Sequence, residues 1–223
     1  MNQKVRATLI LKILESKFKI PSVSEVADDP FRTLVRTIIS QSTADVNTRR
    51  AYKNLSRRVE LTPRGLAEAD INEIEKALFT AGLYRNKSRI LKRLAKTIIQ
   101  DFGGTLDFIF SEPLTDARRK LLSLPGVGPK TADIILLFCA NRPVLPVDTH
   151  VNRVTKRLGF APPDAGYEEV RKALQSLYPP QDYFKVHMLF ISLGRSFCRA
   201  RRPMHEECPV NNLCPSAHAQ GFK

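Results

Sequence analysis

The chain has 223 residues, with 36 Lys and Arg against 22 Asp and Glu, a formal charge of +14 and four cysteines. That length buries one sizeable core or two small ones. The charge suits a polyanion, nucleic acid before membrane, because no long apolar span or lipidation motif occurs.

Residues Val5 to Phe18 show helical periodicity, with Ile10, Ile13, Leu14 and Phe18 on one face. A basic, acid-poor start also suits an organellar transit peptide. This one runs directly into folded-looking sequence and lacks a secretory layout, so the expected compartment is the cytoplasm, at the nucleoid. Asp29-Pro30 supplies an N-cap and a first-turn proline to a helix with Phe31, Leu34, Val35, Ile38 and Ile39 on its apolar face. That helix stops at Ser40-Gln41-Ser42-Thr43, where Thr43 is placed to cap the next, Ala44 to Val59. Thr62-Pro63 opens a short helix, and Asp70-Ile71-Asn72-Glu73 resembles a capping box for one ending at Gly82. Asn86 caps a helix carrying Ile90, Leu91, Leu94 and Ile98, closed by Gly103-Gly104. Thr115 or Asp116 starts another, with Leu121 and Leu122 inside.

A tight turn follows, Pro125-Gly126-Val127-Gly128-Pro129, and the apolar run Thr131 to Ala140 predicts a buried helix with Cys139 in the core. Two glycines around one aliphatic residue permit backbone conformations closed to other residues. They also leave amides uncovered at a helix N-terminus, where phosphate is favoured. Lys130 lies in the first turn of that helix. Its amine is either a surface group touching phosphate or a nucleophile, since amine plus aldehyde gives a Schiff base. Asp148 opens the next helix, which ends at Leu158-Gly159. Asp148 before Thr149-His150-Val151 is a good N-cap, and a capping carboxylate is held rigid, as electrostatic support of a developing cation requires. His150 reads as a packing residue. Helices over 164–178 and 183–198 bring the count to about ten, with no strand-like alternation, so the fold class is all-α.

Three of the four cysteines fall in the last 26 residues, in the pattern Cys198-x6-His205-x2-Cys208-x5-Cys214. Four soft donors within a 17-residue stretch of low apolar content indicate a metal site rather than a disulfide framework. Thiolate-rich sets bind zinc or iron–sulfur clusters, and neither short gap is the C-x2-C of a zinc finger, which favours a cluster. The same loop carries Arg199, Arg201 and Arg202, and fixing it displays a basic rim for phosphates.

With these parts assembled, the chain resembles the endonuclease III family of DNA glycosylases, in the helix-hairpin-helix superfamily. The resemblance rests on LPGVGPKTA (Leu124 to Ala132), VDTH (Val147 to His150), GLYRNKSRI (Gly82 to Ile90) and GRSFCRARRP before the tail. It implies a two-domain fold with DNA in the cleft between domains: a six-helix barrel domain over 24–142, and 1–23 plus 143–223 holding the cluster loop. It implies Lys130 as nucleophile and Asp148 as catalytic carboxylate. Gly126, Val127 and Gly128 hold a backbone phosphate, and side chains such as Gln41 and Leu83 fill the space of an extruded base. The implied activity is a bifunctional glycosylase and AP lyase of base excision repair. It acts as a monomer on double-stranded DNA carrying a damaged base, such as an oxidised pyrimidine, or an abasic site.

The chain departs from the family pattern twice. His205 stands where the family has the second cysteine of C-x6-C-x2-C-x5-C, so a [4Fe-4S] cluster with three Cys and one His ligand, a three-iron cluster and zinc all stay open. Bacterial members usually have Ser-x-Gln after the first barrel helix. Here Ser40 and Gln41 are adjacent, leaving Gln41, the preferred choice, or Ser42 as the gap-filling residue. The alternatives are a mismatch-specific uracil, thymine or adenine glycosylase and a non-catalytic iron–sulfur DNA-binding module. Lys130 counts against the adenine and thymine branches, and the retained Lys130–Asp148 pair against the module.

Overall fold

A computed structural model describes residues 1–27 and 29–218, and all regular structure among them is helical. The chain divides into two compact units, Ser24–Arg142 and Met1–Val23 with Pro143–Lys223. In chain order the helices are α1 (Gln3–Lys17), α2 (Val23–Val26), α3 (Pro30–Ser40), α4 (Asp45–Arg58), α5 (Pro63–Glu68), α6 (Ile71–Leu78), α7 (Tyr84–Phe102), α8 (Phe108–Ser111), α9 (Leu114–Ser123) and α10 (Pro129–Ile134). Then come α11 (Thr149–Arg157), α12 (Tyr167–Leu177), α13 (Tyr183–Ser196) and α14 (Pro215–His218). None of the described helices is long and apolar enough to cross a membrane.

Short-range chemistry sets most helix starts. Asp29 accepts from Arg32 N at 2.8 Å with Pro30 at the first position, Thr62 from Gly65 N at 3.0 Å, and Asp70 from Asn72 N at 2.8 Å. Glu169 reaches back to Gly166 N at 2.6 Å and fixes the start of α12. The Ser24–Arg142 core is built on Leu34, Ile38, Leu55, Leu66, Leu91, Leu94 and Ile98, all fully buried. Each such side chain contributes roughly 1.5–3 kcal/mol relative to exposure. The other unit closes on Ile10, Leu14, Val154, Leu174, Leu189 and Phe190. There α11 meets α13 at Gly194, where a Cβ would come within 2.9 Å of His150 Cβ.

Several expected starts are displaced. Thr43 caps nothing: α4 begins after Ala44 without a side-chain cap, and the Thr43 hydroxyl is used elsewhere. Asn86 is exposed within α7, whose N-cap is Leu83, in a left-handed conformation that offers no side-chain hydrogen bond. Glu73 does not close a box on Asp70, because Arg58 at 2.7 Å and Lys76 at 2.8 Å engage its carboxylate. Helix α9 starts earlier, after Pro113, and Leu122 lies on its solvent side. The short α2 and α8 had no periodic signal, being only four residues long. The Thr131 to Ala140 run changes pitch: α10 gives way to a π-helical turn over Ile135–Cys139. Cys139, at its end, is half-buried rather than sealed in the core.

The two helices of the hairpin are tied by an ion pair. Arg118 on α9 donates through Nε to Asp133 Oδ1 at 2.6 Å and through Nη2 to Oδ2 at 3.3 Å, and the Asp133 side chain is fully buried. Removing one partner leaves a nearly buried charge. Asp133→Ala is therefore expected to lower unfolding free energy by about 3 kcal/mol or more in urea titration, with Arg118→Met/Asp133→Leu recovering most of the loss.

Candidate functional site

The turn before α10 is shaped by one close approach. Gly126 has φ +79°, and a Cβ there would meet Ile90 Cγ2 on α7 at 2.5 Å, so both conformation and space require glycine. Val127 N donates to Leu124 O at 3.1 Å, closing the turn, and Val127 turns inward at 7% exposure. Gly128, in extended backbone, is the N-cap residue of α10, with Pro129 next. Gly126 and Gly128 are exposed and Lys130 is half-buried. The Lys130 amine donates to none of the described residues.

The same unit gathers the other residues expected near this turn. Gln41 Nε2 donates to Gly126 O at 3.1 Å, which brings the loop after α3 against the hairpin. Ser42 and Leu83 both have positive φ, +53° and +47°, and both are exposed. Between their loops lies a residue that sequence reasoning missed. Lys87 is buried, and Nζ donates to Ile39 O at 2.8 Å, Ala81 O at 3.0 Å and Thr43 Oγ1. Thr43 Oγ1 in turn donates to Ala81 O. Burial lowers the Lys87 pKa. The available signal was positional: Lys87 stands one turn before Leu91 on the apolar stripe of α7.

In the other unit, Asp148 Oδ1 accepts from Val151 N at 2.7 Å, the N-cap geometry its sequence context predicts. Three side chains hold the segment that leads to it. Gln175 Oε1 accepts from Leu145 N at 3.4 Å, Tyr167 Oη accepts from Val147 N at 3.3 Å, and His187 Nδ1 lies 2.9 Å from Pro146 O. His150 Nδ1 lies 3.1 Å from Arg153 Nη2, and burial lowers its pKa against the opposing charge of Asp148.

Cys198, His205, Cys208 and Cys214 line one cavity, walled by Leu193, Phe197 and Met204 among others. Among the described residues no three His, Cys, Asp or Glu side chains cluster tightly enough to hold a single metal ion. Burial raises the Cys208 and Cys214 thiol pKa values, so a metal binding there must displace protons. Helix α11 supports the loop from beneath. Arg153 donates to Cys198 O at 2.7 Å and Gly194 O at 2.9 Å, and Arg157 to Arg199 O at 2.6 Å, Ala200 O at 3.1 Å and Cys198 Sγ at 3.4 Å. This i, i+4 pair leaves Arg199, Arg201 and Arg202 exposed on the rim. Sequence reasoning did not single out Arg153 or Arg157, since nothing local pairs a helix with a loop some forty residues away.

Residues 35–180 match the family described as HhH-GPD superfamily base excision DNA repair protein. Endonuclease III of Thermotoga maritima is 35% identical over 193 residues, covering 86% of each chain. Endonuclease III of Sulfolobus acidocaldarius is 32% identical over 204 residues, covering 91% of this chain and 89% of the relative. The solved structure of a trapped endonuclease III–DNA covalent intermediate superposes with a TM-score of 0.84 at 31% identity, covering 97% of this chain and 98% of that one.

Proposed function

Since the chain belongs to the HhH-GPD superfamily of base excision DNA repair proteins and, within it, to the endonuclease III family, we propose that Lys130 and Asp148 carry its chemistry. The protein is a DNA glycosylase with AP lyase activity. Its substrate is double-stranded DNA carrying a damaged base, an oxidised pyrimidine first. A base in the stack is out of reach, so it is extruded, and damaged bases unstack at lower cost. The amides of Gly126 and Gly128 hold a backbone phosphate near the lesion. Gln41, backed by its hydrogen bond to Gly126 O, and Leu83 occupy the vacated space.

Lys130 Nζ attacks the sugar C1′ as the base departs with the bonding electrons and takes up a proton. Asp148 stabilises the positive charge that develops on the sugar. The ring opens to a protonated Schiff base, which acidifies C2′. Loss of a C2′ proton expels the 3′ phosphate, and water then releases the lysine. The observation that carries this reading is the Lys130 amine, half-buried in the first turn of α10 and donating to no described residue. It is tested by borohydride reduction during reaction with a thymine glycol duplex and an abasic duplex. A covalent protein–DNA adduct on both is expected. A base-excision product with no adduct would instead assign a single-function glycosylase, excision only from an added mismatch-containing duplex a mismatch enzyme, and no reaction on any of them a binding module.

The donor set around the cavity behind the cysteine loop fits a [4Fe-4S] cluster held by Cys198, His205, Cys208 and Cys214. Each ligand of such a cluster binds a different iron, so its donors stand further apart than those around one ion. The group supplies a structural anchor for the loop bearing Arg199, Arg201 and Arg202. Protein as purified is expected to be brown, with roughly equal iron and sulfide. His205→Cys, which adds a thiolate, should lower the reduction potential. Colourless protein with stoichiometric zinc, or an unchanged potential, would refute the cluster or the histidine ligand respectively.

A further inference from the structure

Two exposed loops of the Ser24–Arg142 unit are held by one ammonium. Helix ends leave carbonyls without intrahelical partners, and such groups need donors from elsewhere. Ile39 O, at the end of α3, and Ala81 O, in the 3-10 turn Phe79–Ala81, both receive theirs from Lys87 Nζ. The third proton goes to Thr43 Oγ1, inside the loop that follows α3. An ammonium has three donors and no acceptor, so at 4% exposure this set is complete. Thr43 closes the ring by donating to Ala81 O.

What the ring holds is costly backbone. Ser42 and Leu83 are non-glycine residues at φ +53° and +47°, and such strained conformations persist only where the surroundings fix them. The ring also holds up exposed apolar surface, with Leu83 at 66% and Phe79 at 65% exposure. Neither strain nor an exposed leucine serves folding. Thr80 Oγ1, next to Ala81, is buried and has no partner among the described residues, so that hydroxyl contributes no tie to the turn.

The geometry points to Lys87 as a positioning residue that fixes the spacing between the loop carrying Gln41 and the loop carrying Leu83, so that both enter a distorted duplex together. This rests on the proposal that Gln41 and Leu83 occupy the space left by an extruded base. Lys87 itself touches no DNA, because its donors are all used within the protein. Lesion recognition therefore depends on it while general phosphate attraction does not.

The test uses the full chain and a duplex containing a tetrahydrofuran abasic analogue with 2-aminopurine opposite, against the same duplex undamaged. The variants are Lys87→Met, Thr43→Val and Thr43→Ser, with Leu83→Ala and Gln41→Ala as references. Thr43→Val deletes the shared hydroxyl at nearly constant volume. It is expected to reduce the preference for the abasic duplex about tenfold, the scale of one buried hydrogen bond. It should also blunt the 2-aminopurine fluorescence rise, whereas Thr43→Ser restores both. Lys87→Met should lose more, with affinity for undamaged DNA and its salt dependence unchanged. If Thr43→Val and Lys87→Met lower the melting temperature but keep wild-type preference and fluorescence, Lys87 is a structural residue only and the proposal fails. If Leu83→Ala and Gln41→Ala also leave the preference intact, the assignment of the two loops fails with it. Should Lys87→Met not fold, the Thr43→Val and Thr43→Ser pair decides alone.

Discussion

Lys130→Gln is expected to yield no borohydride-trapped adduct on any substrate and to slow strand cleavage at an abasic site by about a thousandfold or more. Glutamine keeps length and hydrogen-bonding capacity but has no basic lone pair, so the covalent intermediate cannot form. The amine donates to no described residue, so its loss breaks no hydrogen bond or ion pair among them. The melting temperature and the affinity for an abasic-analogue duplex should therefore stay near wild type, apart from one phosphate-attracting charge. An adduct that persists in Lys130→Gln would place the nucleophile on another amine. Lys87 is a poor candidate for that role, since its protons are committed to Ile39, Ala81 and Thr43.

Asp148 separates capping from catalysis when two substitutions are compared. Its Oδ1 accepts from Val151 N at 2.7 Å, and asparagine caps a helix about as well as aspartate. Asp148→Asn should therefore change stability by a few tenths of a kcal/mol, while base excision falls on the order of a hundredfold to a thousandfold as the charge facing a cationic sugar disappears. Asp148→Ala should show the same kinetic loss and, in addition, about 1 kcal/mol of destabilisation from the missing cap. Equal activity in Asp148→Asn and wild type, with a loss only in the destabilised alanine variant, would reduce Asp148 to its structural role. The measurements are single-turnover glycosylase rates and thermal unfolding on the same preparations.

Much of the candidate site was legible before any coordinates. Pro125 to Pro129 announces a turn with exposed amides, Lys130 follows it, and Asp148 stands where a cap belongs. Cys198, His205, Cys208 and Cys214 suggest shared ligation by their spacing, and the structure brings all four to one cavity. Helix ends were less legible. Thr43 and Asn86 are good caps by residue type, yet the Thr43 hydroxyl is drawn into the Lys87 ring, leaving α4 to start after Ala44 without a side-chain cap, and Leu83 starts α7 in place of Asn86. A propensity is a local average, and a buried ammonium seeking three acceptors outweighs it.

The sequence by itself determined the all-α class, the hairpin turn, the identity of the nucleophile candidate and the spacing of the four soft donors proposed as ligands. Each of these is written in residues a few positions apart, where backbone sterics, capping and periodicity act. Only the tertiary structure decided that Gly126 is forced by Ile90, that Arg118 and Asp133 bind the hairpin together, and that Arg153 and Arg157 carry the cysteine loop. It alone decided that Lys87 joins two exposed loops. Those contacts pair residues far apart in sequence, and they follow from the need to satisfy every buried charge and carbonyl once the helices have packed.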